Sequence, residues 1–246
     1  LRINKQAASL YHNNLNKENV GYQYLISRGI DDHDIKRFNL GYAPNSWDYI
    51  LSQLKNRYNY SEESVKYSKI VSIKENKIFD RFRNKIIFPI YNDRENIIAF
   101  GSRVLDNSQP KYINSPETSL FKKRSVLYGL NLAKNNFRSK QYAIIAEGYF
   151  DVIACHKFGF DTAVAPLGTA LTKEHLYILQ RYIKDIYLIF DGDEAGVRAC
   201  LKTITISADF DFNIKVVPLE EGLDPMDFLL KNGKSEFQKR LTDALP

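Results

Sequence analysis

Cysteine and histidine are scarce in this 246-residue sequence, which has two of the former and four of the latter. Two cysteines are too few for a disulfide scaffold or a zinc site. Cys155 and Cys200 both fall in segments with helical patterns, where we expect small buried side chains. A chain without a disulfide framework is typical of a reducing compartment, so we expect a cytoplasmic protein.

Long apolar runs are also missing. No stretch approaches the roughly 18–20 residues that a membrane-spanning helix needs, and no signal-peptide pattern opens the chain. We therefore expect no membrane partner. The sequence begins with Leu1 rather than methionine, and we interpret it as a segment of a longer protein.

Two glycine-rich nucleotide motifs are absent, the G-x-G-x-x-G dinucleotide loop and the P-loop. Their absence disfavours redox chemistry with a nucleotide cofactor and Walker-type hydrolysis. His156 and His175 lie within helical patterns, where we expect packing or surface roles. The sequence therefore gives no indication of a nucleophile–base pair.

Charge is distributed unevenly along the chain. Residues 1–140 carry 24 Lys and Arg against 13 Asp and Glu, whereas residues 141–246 carry 11 against 16. A basic first part beside an acidic second part suggests a partner that needs both: a polyanion on one side and cations on the other.

The first part mixes helical and strand patterns. Residues 10–40 and 46–68 have helical patterns. Trp47, Ile50, Leu51 and Leu54 recur at helical spacing, so we interpret them as core. Residues 70–105 contain short β-branched segments separated by turn residues, with a hairpin turn at "YNDREN". We expect a mixed helix/β subdomain here.

From about residue 142, strand and helix patterns alternate. The strand patterns are "YAIIAEG", "TAVAPLG", "DIYLIFDGD" and "NIKVVPL". Thr172 and Asp224 are expected helix caps, and Gly233 is expected to end the last helix. Strands alternating with helices predict a parallel, Rossmann-like four-stranded sheet. The fold class is therefore α/β, or α+β when the first part is included.

Carboxylates follow three of the four predicted strands. Glu147 follows the first, Asp191 and Asp193 the third, and Asp224 the fourth. Asp151 lies four residues after Glu147, in the first turn of a helix. The carboxyl ends of parallel strands meet at one edge of a sheet, so we expect these acids on one rim. A single acid at a helix start is most often a cap; that explanation is favoured for Asp224 alone and is about even for Asp193 alone.

Clustered carboxylates repel one another unless cations lie between them. Oxygen-only donor sets favour Mg²⁺ or Mn²⁺ over zinc. An EF-hand loop fits the start of "DGDEAG" but requires a glutamate at its twelfth position, where this chain has Lys202. Hard metal ions beside a polyanion-binding surface indicate phosphoryl or nucleotidyl transfer, or phosphodiester cleavage.

The motif "EGYFDV…LGT…FDGDEAG" resembles the toprim domain of bacterial primases, topoisomerases and some nucleases. The preceding "DRFRNKIIFPIYNDRENIIAFGSRVL" and "PKYINSPETSLFKKRSVLYGL" closely resemble DnaG-type replicative primases. That resemblance implies an RNA polymerase core with a basic subdomain over residues 1–125 and a toprim subdomain over residues 126–246.

The resemblance also implies functional residues. It assigns metal-site acids, with the catalytic role centred on Glu147, Asp191 and Asp193, and extends that set to Asp151 and Asp224. The family usually has a further aspartate where this chain has Met226, so either the adjacent Asp227 takes its place or the site works with five acids. The resemblance implies nucleotide or template contacts at Arg81, Arg83, Arg103, Lys111, Tyr112, Asn114 and Lys123.

The implied activity is synthesis of short RNA primers from ribonucleoside triphosphates on a single-stranded DNA template. A replicative helicase is the implied partner, through a domain outside this sequence. Glu147 is a candidate general base as well as a candidate metal ligand. A toprim nuclease or topoisomerase-like strand cleaver is the alternative, and a non-catalytic binding module is less favoured because polyanion binding alone does not need clustered acids.

Overall fold

A computed structural model describes residues 1–246, which form two units, Leu1–Phe121 and Lys122–Pro246. This division after Phe121 lies four residues before the boundary expected from the sequence, between residues 125 and 126. The expected boundary follows a short 3-10 turn at Lys123–Ser125. No helix in either unit combines the length and the apolar composition that crossing a bilayer would require.

The first unit has five helices and six strands. The helices are α1 Arg2–Asn13, α2 Val20–Ser27, α3 Asp32–Arg37, α4 Tyr49–Asn56 and α5 Glu62–Tyr67. The strands are β1 Gly41–Ala43, β2 Val71–Lys74, β3 Lys77–Asp80, β4 Lys85–Tyr91, β5 Ile97–Val104 and β6 Tyr112–Asn114. The predicted mixture of helices and strands is present, with the helical stretches divided into shorter helices.

An antiparallel sheet in the order β1-β4-β5-β6 forms the centre of this unit, and β2 and β3 make a separate hairpin. Strand β4 is apolar along most of its length, and Ile86, Ile87 and Phe88 are fully buried. The turn predicted at "YNDREN" connects β4 to β5, where the amide of Asn92 donates to the carbonyl of Asn96 at 3.0 Å. Helix α1 packs against β1 and β5.

The interpretation of Trp47 as a core residue is wrong. Helix α4 begins at Tyr49, so Trp47 precedes it, and its side chain is 65% exposed. Ile50 and Leu54, which do lie in the helix, are fully buried as expected. The helical spacing of the apolar residues therefore predicted a helix that starts before the observed first residue, Tyr49.

The second unit alternates strands and helices. Its strands are β7 Tyr142–Ile145, β8 Ala163–Val164, β9 Asp185–Leu188 and β10 Asn213–Val216. Its helices are α6 Leu130–Lys140, α7 Tyr149–Lys157, α8 Lys173–Leu179, α9 Glu194–Ser207 and α10 Pro225–Thr242. The four strands pair in parallel in the order β10-β9-β7-β8, which confirms the predicted sheet.

Several local predictions in this unit are confirmed. The Thr172 side chain accepts from the amide of His175, and that of Asp224 caps α10. Gly233 adopts φ 77° and interrupts α10, as expected of a helix stop, but a second helical stretch continues directly to Thr242. Cys155 is fully buried in α7 as expected, whereas Cys200 in α9 is only half-buried.

Candidate metal centre and basic surface

Three neighbouring strands of the parallel sheet bring the predicted acids to one edge. Strand β9 lies between β7 and β10, so the loop with Asp191 and Asp193 is flanked by Glu147 after β7 and by Asp224 before α10. The amide of Asp191 donates to Oε1 of Glu147 at 2.9 Å. This bond joins two of the predicted residues directly across adjacent strand ends.

Close backbone packing explains the two glycines in the loop after β9. A Cβ on Gly192 would overlap the carbonyl oxygen of Glu220 and lie 3.0 Å from its carbonyl carbon. A Cβ on Gly196 would overlap the carbonyl oxygen of Asp191 and lie 3.1 Å from its carbonyl carbon. Side chains at these positions would force backbone apart, so glycine permits the tight loop that places Asp191 and Asp193.

The same acids also stabilise helix starts. Asp193 Oδ1 accepts from the amide of Gly196 at 2.8 Å, and Asp224 Oδ1 accepts from the amide of Asp227 at 2.7 Å. Asp151 Oδ2 accepts from the amide of Gly148 at 2.9 Å. Since such a cap engages one carboxylate oxygen, capping and metal binding are compatible functions of one residue.

Electrostatic repulsion within the cluster is considerable. Burial, with the negative charges of Glu147 and Asp224, raises the pKa of Asp191 to about 7. Burial, with the charges of Asp224 and Asp191, raises the pKa of Asp151 to about 8. Burial and the charge of Asp193 also raise the pKa of Glu147. Burial is the main cause of these three shifts and the charges of the neighbouring carboxylates add to it, so a bound cation would relieve the repulsion.

The donor chemistry of this rim fits a hard divalent cation, because every candidate ligand offers carboxylate oxygen. Glu147, Asp191 and Asp224 are half-buried and Asp193 is exposed, whereas Asp151 is only 7% exposed. The first four are thus accessible from solvent, whereas Asp151 is buried and bonded to the N-terminus of α7.

Met226 and Asp227 differ in their environments. The Met226 side chain is fully buried, whereas Asp227 is half-buried in the first turn of α10. The negative charge of Asp227 is among those that raise the pKa of Asp191. Asp227 therefore acts electrostatically on Asp191, at the centre of the rim. Met226, which stands where the family usually has an aspartate, packs in the interior.

The residues predicted to contact nucleotide or template lie in the first unit, with the exception of Lys123. Arg103 and Tyr112 are paired across β5 and β6, with the guanidinium 5.0 Å from the ring centroid. Arg103 also donates to the hydroxyl of Tyr24, which was not among the predicted site residues. Arg81 donates to the carbonyl of Lys69 at 3.0 Å. Hence these cations are held in defined positions by neighbouring groups.

Other predicted residues have simpler surroundings. Lys111 and Tyr112 are exposed, and Asn114 is half-buried at the end of β6. The carbonyl of Lys123, in the second unit, accepts from Nε2 of His175 at 3.0 Å. His175 and His156 are both buried in helices, so the expectation of packing roles holds for them.

A second group of metal-type side chains is found at Asp31, His33 and Asp34, whose ligand atoms lie within 4.8 Å of one another. Asp31 and Asp34 form the capping box at the start of α3. Their arrangement is thus explained by the helix start.

Two family models match the chain. The DNA primase catalytic core, N-terminal domain, covers residues 10–134, and a toprim-like family covers residues 144–229. Among curated relatives, the DNA primase of Clostridium acetobutylicum is 41% identical over 99% of this chain and 40% of its own length. The DNA primase of Escherichia coli K12 is 35% identical over 91% of this chain and 39% of its own length. This chain therefore spans about two fifths of those relatives.

Solved structures agree with the sequence relatives. The RNA polymerase domain of Mycobacterium tuberculosis primase DnaG has a TM-score of 0.92 at 32% identity, covering 100% of this chain and 83% of that one. A DNA primase domain from Pseudomonas aeruginosa has a TM-score of 0.93 at 35% identity, covering 100% and 79%. A DnaG catalytic domain bound to single-stranded DNA has a TM-score of 0.90 at 32% identity, covering 100% and 78%.

Proposed function

Because this chain belongs to the DnaG family of DNA primases, we propose that it is a primer-synthesising core, which joins ribonucleoside triphosphates into short RNA primers on a single-stranded DNA template. The observation that carries the proposal is the rim of mutually repelling carboxylates at three adjacent strand ends. Such a rim suits an enzyme that holds divalent cations against a triphosphate.

The residues proposed to hold the cations are the six acids of the rim. Glu147, Asp191 and Asp193 form the proposed catalytic centre, and Asp151, Asp224 and Asp227 complete the set. Mg²⁺ or Mn²⁺ bound here would neutralise the triphosphate and polarise the attacking 3′-hydroxyl. The toprim match supports divalent-metal binding in general, and the choice of these two ions rests on the oxygen-only donors.

Glu147 has two chemically distinct candidate roles. Its raised pKa would suit a general base, but its Oε1 already accepts from the amide of Asp191 at 2.9 Å. That bond orients the carboxylate toward the Asp191 loop, which favours metal binding as the main role. A Glu147→Gln variant retains an acceptor for the amide and removes only the charge, so loss of Mn²⁺ affinity in that variant would support a ligand role.

The basic and aromatic residues of the first unit, with Lys123, are the proposed contacts for nucleotide and template. Arginine and lysine attract phosphates without reading sequence, and the relative bound to single-stranded DNA supports that partner. RNA primer product and a replicative helicase, the latter reached through a domain outside this chain, complete the proposed partners. Strand cleavage is not favoured, since the primase-specific family model covers the first unit.

The test is primer synthesis by an Asp191→Asn variant on single-stranded DNA with Mg²⁺ and the four ribonucleotides. We expect loss of synthesis and of Mn²⁺ binding measured by calorimetry, with DNA binding retained. Asp211→Asn is the matched control, because Asp211 has 96% of its side chain exposed and pairs only with a surface lysine in the contacts described. Normal synthesis by Asp191→Asn would refute the assignment, and DNA cleavage without nucleotides would favour the nuclease alternative.

A further inference from the structure

A short basic turn, residues 122–125, opens the second unit. Lys122, Lys123 and Arg124 follow one another in it, and Lys123–Ser125 form a 3-10 helix. Lys122 and Arg124 are exposed, whereas Lys123 is half-buried. Like charges in so short a turn repel one another. The position of these charges therefore depends on the contacts that hold the turn.

The chain just after the basic turn reaches the carboxyl edge of the parallel sheet. Tyr128 and Ala165, the residue that follows β8, exchange backbone hydrogen bonds of 2.8 and 3.1 Å. The amide of Ala146 donates to the carbonyl of Val164, the last residue of β8, at 3.0 Å. Since Ala146 immediately precedes Glu147, the basic turn lies a few residues from a strand end that adjoins the acidic rim.

The start of helix α8 holds the basic turn. Nε2 of His175 bonds to the carbonyl of Lys123 at 3.0 Å, and the hydroxyl of Thr172 donates to the carbonyl of Arg124 at 2.6 Å. The Arg124 guanidinium also pairs with Glu174 at 2.5 Å. That ion pair is largely exposed and contributes little, so the two bonds to backbone carbonyls are what fix the turn.

The tautomer of His175 follows from its two partners. The amide of Thr172 donates to Nδ1 at 3.2 Å. The carbonyl of Lys123 can only accept, so Nε2 carries the proton and donates it. Burial lowers the pKa of His175, which keeps the ring neutral, as this arrangement requires. The side chain is fully buried, so both bonds are shielded from water.

The capping role alone does not require a histidine. Thr172 and His175 form a capping box at the start of α8. Such a box usually has Glu or Gln at the position of His175, because the cap needs only an acceptor for the first amide. The imidazole adds a donor on its far side, and that donor is used on the Lys123 carbonyl. This second bond is not needed to begin the helix, so it indicates a role in placing the turn.

We infer that His175 and Thr172 are positioning residues, which hold the basic turn so that Lys123 meets the triphosphate of an incoming nucleotide at the acidic rim. The inference rests on the primase function proposed above and deepens it. Lysine is a point charge on a flexible stem, so fixing its backbone limits the region that its ammonium group reaches. Metal ions and a fixed lysine would then share the neutralisation of the triphosphate.

The first test measures the KM for ribonucleoside triphosphates in primer synthesis by a His175→Asn variant. Asparagine keeps an acceptor for the Thr172 amide but is too short to reach the Lys123 carbonyl. We expect KM to rise about tenfold with little change in kcat, because nucleotide binding is weakened. His175→Gln has both an acceptor and a longer donor, so it should restore KM to within about threefold of the unmodified chain.

His156→Asn is the matched control. His156 is also buried in a helix, and its Nε2 bonds to the carbonyl of Ala163 at 2.9 Å. We expect this variant to lower Tm without changing KM. An unchanged KM in His175→Asn, or the same rise in His156→Asn, would overturn the inference. A rise in His175→Asn that His175→Gln does not reverse would also overturn it, because the hydrogen bond would not be the cause.

A double-mutant cycle tests whether His175 acts through Lys123. Adding His175→Asn to Lys123→Ala should leave KM within about twofold of its value in Lys123→Ala alone. A further rise of about tenfold would show that His175 acts on another group. That result would overturn the inference even if the single variants behave as expected.

Thr172→Val provides a measurement that does not depend on altering a buried ring. Thr172 is half-buried, and valine keeps its shape while removing the bond to the Arg124 carbonyl. We expect KM to rise about threefold, whereas Thr172→Ser, which keeps the hydroxyl, should leave KM unchanged. Equal KM values in the two variants would contradict the role assigned to Thr172.

The outcomes separate this inference from the proposed function. If the unmodified chain makes primers and His175→Asn has a normal KM, the inference fails and the primase function stands. If the unmodified chain neither makes primers nor binds ribonucleotides, both fail.

Discussion

Protons and metal ions should compete for the acidic rim, and this competition yields a measurable dependence of stability on pH. Asp191 and Asp151 have pKa values of about 7 and about 8, against an ordinary value of 3.8. A carboxyl whose pKa is raised by folding binds a proton in the folded state that the unfolded state has already lost. Its contribution to stability is therefore fully present below pH 3.8 and is lost as the pH rises through 7–8.

The magnitude follows from the window in which these groups titrate. Each excess proton changes the unfolding free energy by about 1.4 kcal/mol per pH unit. Between pH 8.5 and 6.5, two partly titrating groups give an upper limit of roughly 3 kcal/mol. Asp191 is half-buried, so solvent screening reduces the expected gain to about 1–2 kcal/mol. For a protein of this size that is a rise in Tm of roughly 2–8 °C.

The lower limit of the measured range, pH 6.5, matters because a buried histidine lowers the stability of the fold as the pH falls further. Burial lowers the pKa of His175, and a buried neutral histidine destabilises the fold once the pH falls below the ordinary value near 6.5. Measurements between pH 6.5 and 8.5 avoid most of that contribution. Asp80, with a pKa of about 6, contributes mainly below this window.

The assay is differential scanning calorimetry in EDTA across pH 6.5–8.5, repeated with Mn²⁺. Without metal we expect Tm to rise as the pH falls, and Asp151→Asn should flatten the dependence. Mn²⁺ should raise Tm more at pH 8.5 than at pH 6.5, because protons occupy the rim at the lower pH. A Tm that falls between pH 8.5 and 6.5 in EDTA, or a Mn²⁺ effect independent of pH, would refute the reasoning.

Two further predictions concern the loops that build the rim. Asp227→Asn should weaken Mn²⁺ binding by about tenfold in calorimetric titration. The control variant Asp211→Asn should bind Mn²⁺ normally. Equal affinity in the two variants would exclude Asp227 from the site. Gly192→Ala should lower the free energy of unfolding, measured in urea, by about 1–3 kcal/mol, because the added Cβ meets backbone atoms. Gly148→Ala should lower it less, because the atom nearest to that Cβ is a side-chain oxygen at 3.3 Å. Equal losses would contradict the packing argument.

The parallel sheet and its acidic rim could be predicted because both depend on short-range patterns. Apolar segments alternating with helical ones specify parallel strands, and the rule that ligands bind at their carboxyl ends locates the acids. The order of the strands could not be predicted, since it depends on contacts between distant segments. The observed order places β9 between β7 and β10, which is why Asp191 experiences charges from both sides.

The environment of Trp47 could not be predicted from its own segment. Its spacing to Ile50 and Leu54 suits a helix, but the start of α4 is anchored by Asp80, about 30 residues further along the chain. A long-range hydrogen bond therefore decides where the helix begins, and with it which apolar side chain stays outside.

With Asp227 as a proposed ligand, Met226 marks a position where a neighbouring acid would supply the charge of a replaced motif residue. Met226 and Asp227 are consecutive on a helix, so their side chains point about 100° apart. Met226 faces the interior and is fully buried, where an aspartate would need a compensating cation. Asp227 has its amide held by Asp224 and acts on Asp191 through its charge. We propose that methionine in place of the usual acid adds apolar packing under the helix, while the neighbouring acid contributes negative potential at Asp191. On this proposal, a cation at the rim depends on where the charge lies in space rather than on its place in the motif.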